Sequence, residues 1–157
     1  MLAVFQSIEW SPIGQLIKNS PWAFAVIESI HLLALATIGG AVLVVDLRLL
    51  GLGLKRQSVA DVARDAWPVM VWSLAVMLTT GAALFVSEAI KCYYSTPFWV
   101  KMSSLALALL FTFTVKRRVT RTGSATPGPM ALRLVALVSL ALWFGVGAGG
   151  RWIGFSG

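Results

Sequence analysis

The chain has 157 residues, 58% of them hydrophobic and 12% charged, with a formal net charge of +7. A soluble domain is roughly 45–50% apolar and about 25% charged, so a mean hydropathy of +0.83 excludes an ordinary soluble domain and points to the membrane. The positive charge does not indicate nucleic acid: the basic residues flank apolar runs, and no recognition module or basic aromatic groove accompanies them.

The length suits one bundle rather than two domains. A single cysteine, Cys92, allows no intrachain disulfide, and one cysteine with one histidine excludes metal sites built from several of either. The opening residues, MLAVFQSIEWSPIG, have no basic stretch and include Glu9, so no cleaved signal peptide is expected. Residues 2–18 read instead as an amphipathic interfacial helix. There Leu2, Phe5, Ile13, Leu16 and Ile17 oppose Gln6, Glu9, Gln15 and Lys18.

Four segments reach the ~20 apolar residues that cross a bilayer. They run over about 21–52, 68–90, 97–115 and 129–148, and each opens on a proline, in NSPW, AWPV, STPF and PGPM. Proline suits the first helical position because the N–H it lacks has no intrahelical acceptor there. Ser20 and Thr96 precede two of these prolines as N-cap candidates. The fold class expected is therefore all-α, an integral membrane four-helix bundle. LKRQSVADVARDAW reads as an amphipathic connector ending in Trp67 at headgroup depth, and TRTGSATPGP as an irregular loop.

Nine basic residues fall on one side: Arg48, Lys55, Arg56, Arg64, Lys116, Arg117, Arg118, Arg121 and Arg133. Lys18, Lys91, Lys101 and Arg151 fall on the other. The positive-inside rule assigns the nine to the cytoplasm and both termini to the outer, periplasmic side of a bacterial inner membrane.

The only histidine, His31, lies ten residues past Pro21, ~15 Å into the first span at 1.5 Å per residue. Glu28 stands one turn before it on the same helix face. Lys101 near the start of the third span, Glu88 at the end of the second and Met77 at the depth of His31 complete a polar group in the outer half. Ionisable residues within a membrane usually face the bundle interior and mark a site or path. A carboxylate beside an imidazole fixes its tautomer, and a neutral imidazole in an apolar bundle suits haem iron. Gly39, Gly40 and Gly81 leave room for a flat macrocycle or close helix contact. The same cluster reads equally as a hydrogen-bonded brace, with a proton or ion path as a third, lesser reading. Both alternatives stay open.

On the other side, Asp46 and Arg48 lie two apart and face different ways. Asp46 is expected to latch onto Arg117, Arg118 or Arg133 across a helix boundary. KRR at 116–118 is a topology signal first and a lipid-headgroup site second. GVGAGG at 145–150 reads as a packing surface. No hydrolase triad, phosphate loop or HExxH is present.

ESIHLLALATIGGAVLVVDLRLLGL, WPVMVWSLAVMLTTGAALF and FWVKMSSLALALL together resemble the first three spans of small bacterial membrane proteins of the HemJ/CopD-like group. The chain also resembles an uncharacterised four-helix family of bacterial inner membranes with E..H and DLRLLG in its first span. The resemblance implies haem b bound through His31 and Lys101. The residues themselves add Glu28 as the group orienting the imidazole, with Lys101, Met77 or another subunit's group in the sixth position, and a bound haem would give an electron-transfer or oxidoreductase role. DLRLLGL departs from the proline–arginine exit of HemJ-type proteins, whose activity is protoporphyrinogen oxidation, and their further histidines are absent. Copper handling fits poorly, since the methionines at 1, 70, 77, 102 and 130 form no ladder of soft ligands. The partners expected are the lipid bilayer and a second copy or larger membrane complex. A cofactor-free accessory subunit and a small proton, ion or metal transporter are the other function classes.

Overall fold

The computed structural model describes residues 2–54, 56–121 and 128–155. Lys55 and residues 122–127 of the expected irregular loop lie outside the described residues. Two short helices, α1 (Leu2–Glu9) and α2 (Pro12–Lys18), come first. The long helices are α3 (Pro21–Leu49) and α4 (Val59–Ser87). A short α5 (Ala89–Tyr94) follows, then α6 (Thr96–Phe111). A π-helical turn at Thr112–Lys116 joins α6 to α7 (Arg117–Arg121), and α8 (Pro129–Phe155) ends the described chain. There is no strand among the described residues.

Among the described residues four helices are long and apolar enough to cross a membrane: Pro21–Leu49, Val59–Ser87, Thr96–Arg121 and Pro129–Ile153. Their outward faces carry large apolar side chains. Leu33, Trp72, Leu110 and Phe144 are each more than 60% exposed, a surface suited to lipid rather than water. The protein is a multi-pass membrane protein in contact with the bilayer.

The helix ends have local causes. Ser20 accepts the Ala23 N–H and Pro21 opens α3. The same helix stops at Leu49, three residues before the expected end. Gly51, at φ 76°, donates to the Arg48 carbonyl, and Leu52 donates to that of Leu47. This is a Schellman stop, and glycine supplies the left-handed residue it needs. The second span begins nine residues before the expected proline. Ser58 Oγ accepts the Asp61 N–H at 3.0 Å and donates to the Asp61 carboxylate at 2.6 Å, so the cap sits there and Pro68 falls inside the helix. The single interfacial helix expected over 2–18 is two helices, broken at Trp10–Ser11, where Ser11 caps α2.

In the bundle, α3 packs on α4, α6 packs on α8, and α3 also meets α8. Contact between α4 and α6 is sparse, which leaves a gap along one side. Ile38, Val42, Met70, Met77, Ala108 and Val146 form the central core. Val45, Leu49, Val62 and Ala136 form a second core toward the end where most arginines lie.

The N-terminal helices dock at the opposite end. Glu9 is buried, pairs with Lys18, and accepts the Ile90 N–H at 2.7 Å. Phe5 meets Phe85 and Tyr93 edge-on at ring separations of 5.6 and 5.1 Å. Gly14 lies so close to the end of α4 that a β-carbon there would stand 2.8 Å from the Val86 carbonyl oxygen.

Candidate functional site

His31 is buried on α3 and bridges two other helices. Its Nδ1 lies 3.0 Å from Thr80 Oγ1 on α4, and its Nε2 lies 3.4 Å from Lys101 Nζ on α6. The Thr80 hydroxyl donates to the Val76 carbonyl at 2.7 Å. It is therefore free to accept from Nδ1, which sets the tautomer with Nε2 bare toward the amine. The expected orienting carboxylate is displaced from this role. Glu28 is exposed on α3 and among the described residues makes no hydrogen bond to the imidazole, and Thr80 from the neighbouring helix takes its place.

Small residues make this meeting possible. A β-carbon on Gly81 would come within 3.1 Å of the imidazole Cε1. A β-carbon on Gly149 would come within 3.0 Å of Lys101 Cβ and 3.2 Å of its Cα, and one on Gly145 within 2.9 Å of Ser104 Oγ. Gly145 and Gly149 are one helical turn apart, a small-xxx-small face that brings α8 onto α6. Gly150 leaves space beside the Lys101 side chain, with Nζ at 3.6 Å from where a β-carbon would sit. Gly39, grouped with the site from sequence, faces open space, as does Gly40.

Two cavities meet at the His31–Lys101 pair. One, of about 410 Å³, occupies the gap between α4 and α6. Its walls are almost wholly apolar, among them Phe5, Met77, Phe85, Phe98, Trp99 and Met102. The other, of about 500 Å³, lies on the α8 side and is lined by Glu28, Glu88, Lys91, Cys92, Lys101 and Arg151 among others. His31, Gly81, Phe85, Phe98 and Lys101 line both. Met77, buried at the depth of the imidazole, faces the apolar cavity. Glu88 ends α4 and lines the polar one. His31, Lys101, Met77, Gly81, Glu28 and Glu88 therefore do gather, whereas Gly39 does not. Among the described residues no three of His, Cys, Asp and Glu are grouped to hold a metal ion by themselves.

A second polar cluster lies deeper along α3. Asp46 is fully buried, and its partner is Lys116 of the π turn: Nζ stands 2.7 Å from Oδ1. This corrects the expected arginine latch. Ser139 Oγ donates to Asp46 Oδ2 at 2.7 Å, and Lys116 also donates to Ser139 Oγ at 3.1 Å. Beside it, Trp143 Nε1 donates to Thr112 Oγ1 at 3.3 Å. The arginines go elsewhere. Arg117 lies over the Trp67 ring at 4.4 Å, Arg48 donates to the Gln57 carbonyl at 2.7 Å, and Arg133 is exposed on α8. Sequence reasoning missed Thr80, Ser139, the role of Glu9 and the inward turn of Lys116.

Outside the spans two groups titrate unusually. Burial works to raise the Glu9 carboxyl, but the Lys18 hydrogen bond, the Ile90 N–H and the Lys18 charge outweigh it and hold it below the usual carboxylate value. Burial, reinforced by the Glu88 carboxylate, pushes the Cys92 thiol up to about 11.

Residues 4–156 match the model of a family of unknown function, DUF6644. The chain belongs to that family. Neither a curated protein nor a solved structure matches it, and no comparison supports the likeness to the HemJ/CopD-like group.

Proposed function

We propose that this DUF6644 protein binds haem b at the seam of the two cavities, with His31 and Lys101 as the ligating side chains. One observation carries the reading. The chain's only imidazole and a lysine amine face each other at 3.4 Å where an apolar cavity of about 410 Å³ meets a polar one of about 500 Å³. That pairing of walls suits a flat, apolar ring with charged edges, and a neutral imidazole suits its iron, while Lys101 would ligate only as the neutral amine and the 3.4 Å contact between the two nitrogens must open to admit the group. When bound, the group supplies one-electron chemistry, which fits an electron-transfer or oxidoreductase role.

The residues have separable tasks in this reading. Thr80 holds the imidazole by Nδ1 and leaves Nε2 bare. Gly81 keeps the ring's other flank clear. Phe5, Phe85, Phe98 and Trp99 keep water from the apolar side. Lys91 and Arg151, at the polar wall, offer cations to carboxylates. The arginine-rich end is assigned to the cytoplasm of a bacterial inner membrane, on the imbalance of basic residues. The lipid-like exterior leaves faces on which a second copy can pack.

The test is the absorption spectrum of detergent-purified protein, expressed with haem supplied, oxidised and then dithionite-reduced. Wild type should show a Soret band that sharpens on reduction, absent in His31→Ala and shifted in Lys101→Ala. A colourless wild-type protein overturns the proposal.

A second reading has its own observation: both imidazole nitrogens already face partners within the chain, so the trio links α3, α4 and α6 unaided. A brace alone predicts that His31→Ala lowers thermal stability in a protein with no Soret band in either form.

A further inference from the structure

At the arginine-rich end, a cavity of about 310 Å³ lies between α4 and α7, far along the chain from the histidine. Ala60 and Ala63 form part of its wall, Trp67 stands beside them, and Arg64, Arg117 and Arg121 project into it. Arg117 rests on the Trp67 ring at 4.4 Å, and Trp67 itself packs edge-on against Phe113 at 5.4 Å. The ring face thus holds the guanidinium at the cavity wall. Arg64 is shared with Asp61 at 3.1 Å and Asp65 at 3.9 Å, whereas Arg117 and Arg121 form no ion pair among the described residues, so the unshared positive charge there resides mainly on them.

The cavity continues into a narrower recess of about 30 Å³. Ala63, Trp67, Arg117 and Thr120 line both, and the recess runs on to Ala41, Val45 and Met70 of the spanning helices. This recess has room for a water or two and no more, so the acyl chains of a lipid held at the chamber lie outside it, along exposed apolar side chains of α4 and the π turn such as Val69, Phe113 and Val115. A soluble anion needs only the chamber, whereas a phospholipid adds contact with that exterior.

We infer that this chamber binds the phosphate of an anionic phospholipid, with Arg117 and Arg121 as its contacts and the acyl chains lying along the exposed apolar side chains beside it. Planar guanidinium groups pair with phosphate oxygens through two hydrogen bonds at once. Basic pockets between spanning helices are a recurrent headgroup site. This assignment is independent of what His31 and Lys101 hold.

Native mass spectrometry of the detergent-solubilised full chain, titrated with phosphatidylglycerol or phosphatidylcholine, tests it. Wild type should retain phosphatidylglycerol at least roughly tenfold more tightly. The Arg117→Gln/Arg121→Gln double variant should lose roughly thirtyfold in that binding, from two basic contacts removed at a membrane surface. Arg133→Gln, an exposed arginine outside the cavity, should bind as wild type does. Should the double variant lose its helical circular dichroism, Arg121→Gln alone at the exposed helix end gives the reading, with a several-fold loss expected. Equal retention of the two lipids, or an unchanged preference in the arginine variants, overturns the inference. Displacement of phosphatidylglycerol by millimolar inorganic phosphate also overturns it, by making the occupant a soluble phosphate.

Discussion

Lys116 stands 2.7 Å from Asp46 across the bundle, and both side chains are almost completely buried. The π turn at Thr112–Lys116 is where this lysine turns inward while the next residue, Arg117, faces Trp67. Such a turn inserts an extra residue into the helical repeat and is often found at sites where a side chain must be re-aimed.

The ion pair should be costly to break and cheap to replace. Asp46→Leu or Lys116→Met alone leaves one buried charge facing Ser139 without its counter-charge, and should destabilise the protein by about 3–5 kcal/mol. Asp46→Leu combined with Lys116→Met removes both charges and should recover most of that loss. Thermal unfolding in detergent across the single and double variants measures the coupling. Purely additive losses would mean that the contact contributes little.

Helix α8 offers a paired comparison. Gly149→Ala would set a methyl group 3.0 Å from Lys101 Cβ, so α8 must move off α6. The expected loss is about 1–3 kcal/mol, offset by less than about 1 kcal/mol from the better helix propensity of alanine. Gly147→Ala meets nothing within 4 Å and should be neutral or slightly stabilising. Melting curves for the two variants should separate clearly.

The docking of the N-terminal helices should depend on acid. Glu9 has its folded-state pKa below the ordinary carboxylate value. Its ionised form therefore stabilises docking above that ordinary value, and the contribution is lost as pH falls through the lower, folded value. The protection of residues 2–18 against hydrogen exchange, corrected for the intrinsic pH dependence of the amides, should fall as the pH drops below about 4, while protection in α3 changes little. Glu9→Gln should show the lower protection already at neutral pH.

Cys92 should be a slow thiol. With its pKa pushed up to about 11, its reactive thiolate is scarce at neutral pH. Alkylation by iodoacetamide at pH 7.5 should run on the order of a hundredfold more slowly than for an ordinary cysteine. The rate should climb steeply between pH 9 and 11. Rapid labelling at pH 7.5 would contradict the burial of this group.

What sequence could reveal follows the range of each interaction. The spans at Pro21 and Pro129 open where the proline rule puts them, because apolar length and local caps are properties of neighbouring residues. Pro68 breaks the pattern, because Ser58 and Asp61 supply a better start and the helix tolerates the proline internally. The polar gathering of His31 and Lys101 was also legible, from depth alone. Their partners were not. Spacing along α3 favours Glu28 for the imidazole, but Thr80 reaches it from another helix, and no periodicity within one segment encodes which faces meet. Lys116 was concealed for a further reason: its neighbours Arg117 and Arg118 make it look like part of a headgroup-facing cluster, and the π turn that separates it has no sequence signature.

The gap between α4 and α6 decides what anything entering it must compete with. Leu78, Trp99 and Met102, at its rim, are among the exposed apolar side chains of the spanning helices, so the cavity opens toward acyl chains rather than toward water. A guest exchanges with oil rather than with water, and the entropy of released water, which drives most binding to apolar pockets, contributes little to that exchange. Selection must therefore come from the rigidity of the aromatic walls and from the one imidazole and one amine at the inner end. A compound's solubility in the membrane would set its local concentration, and its shape and polar end would set its preference for this cleft over the surrounding lipid.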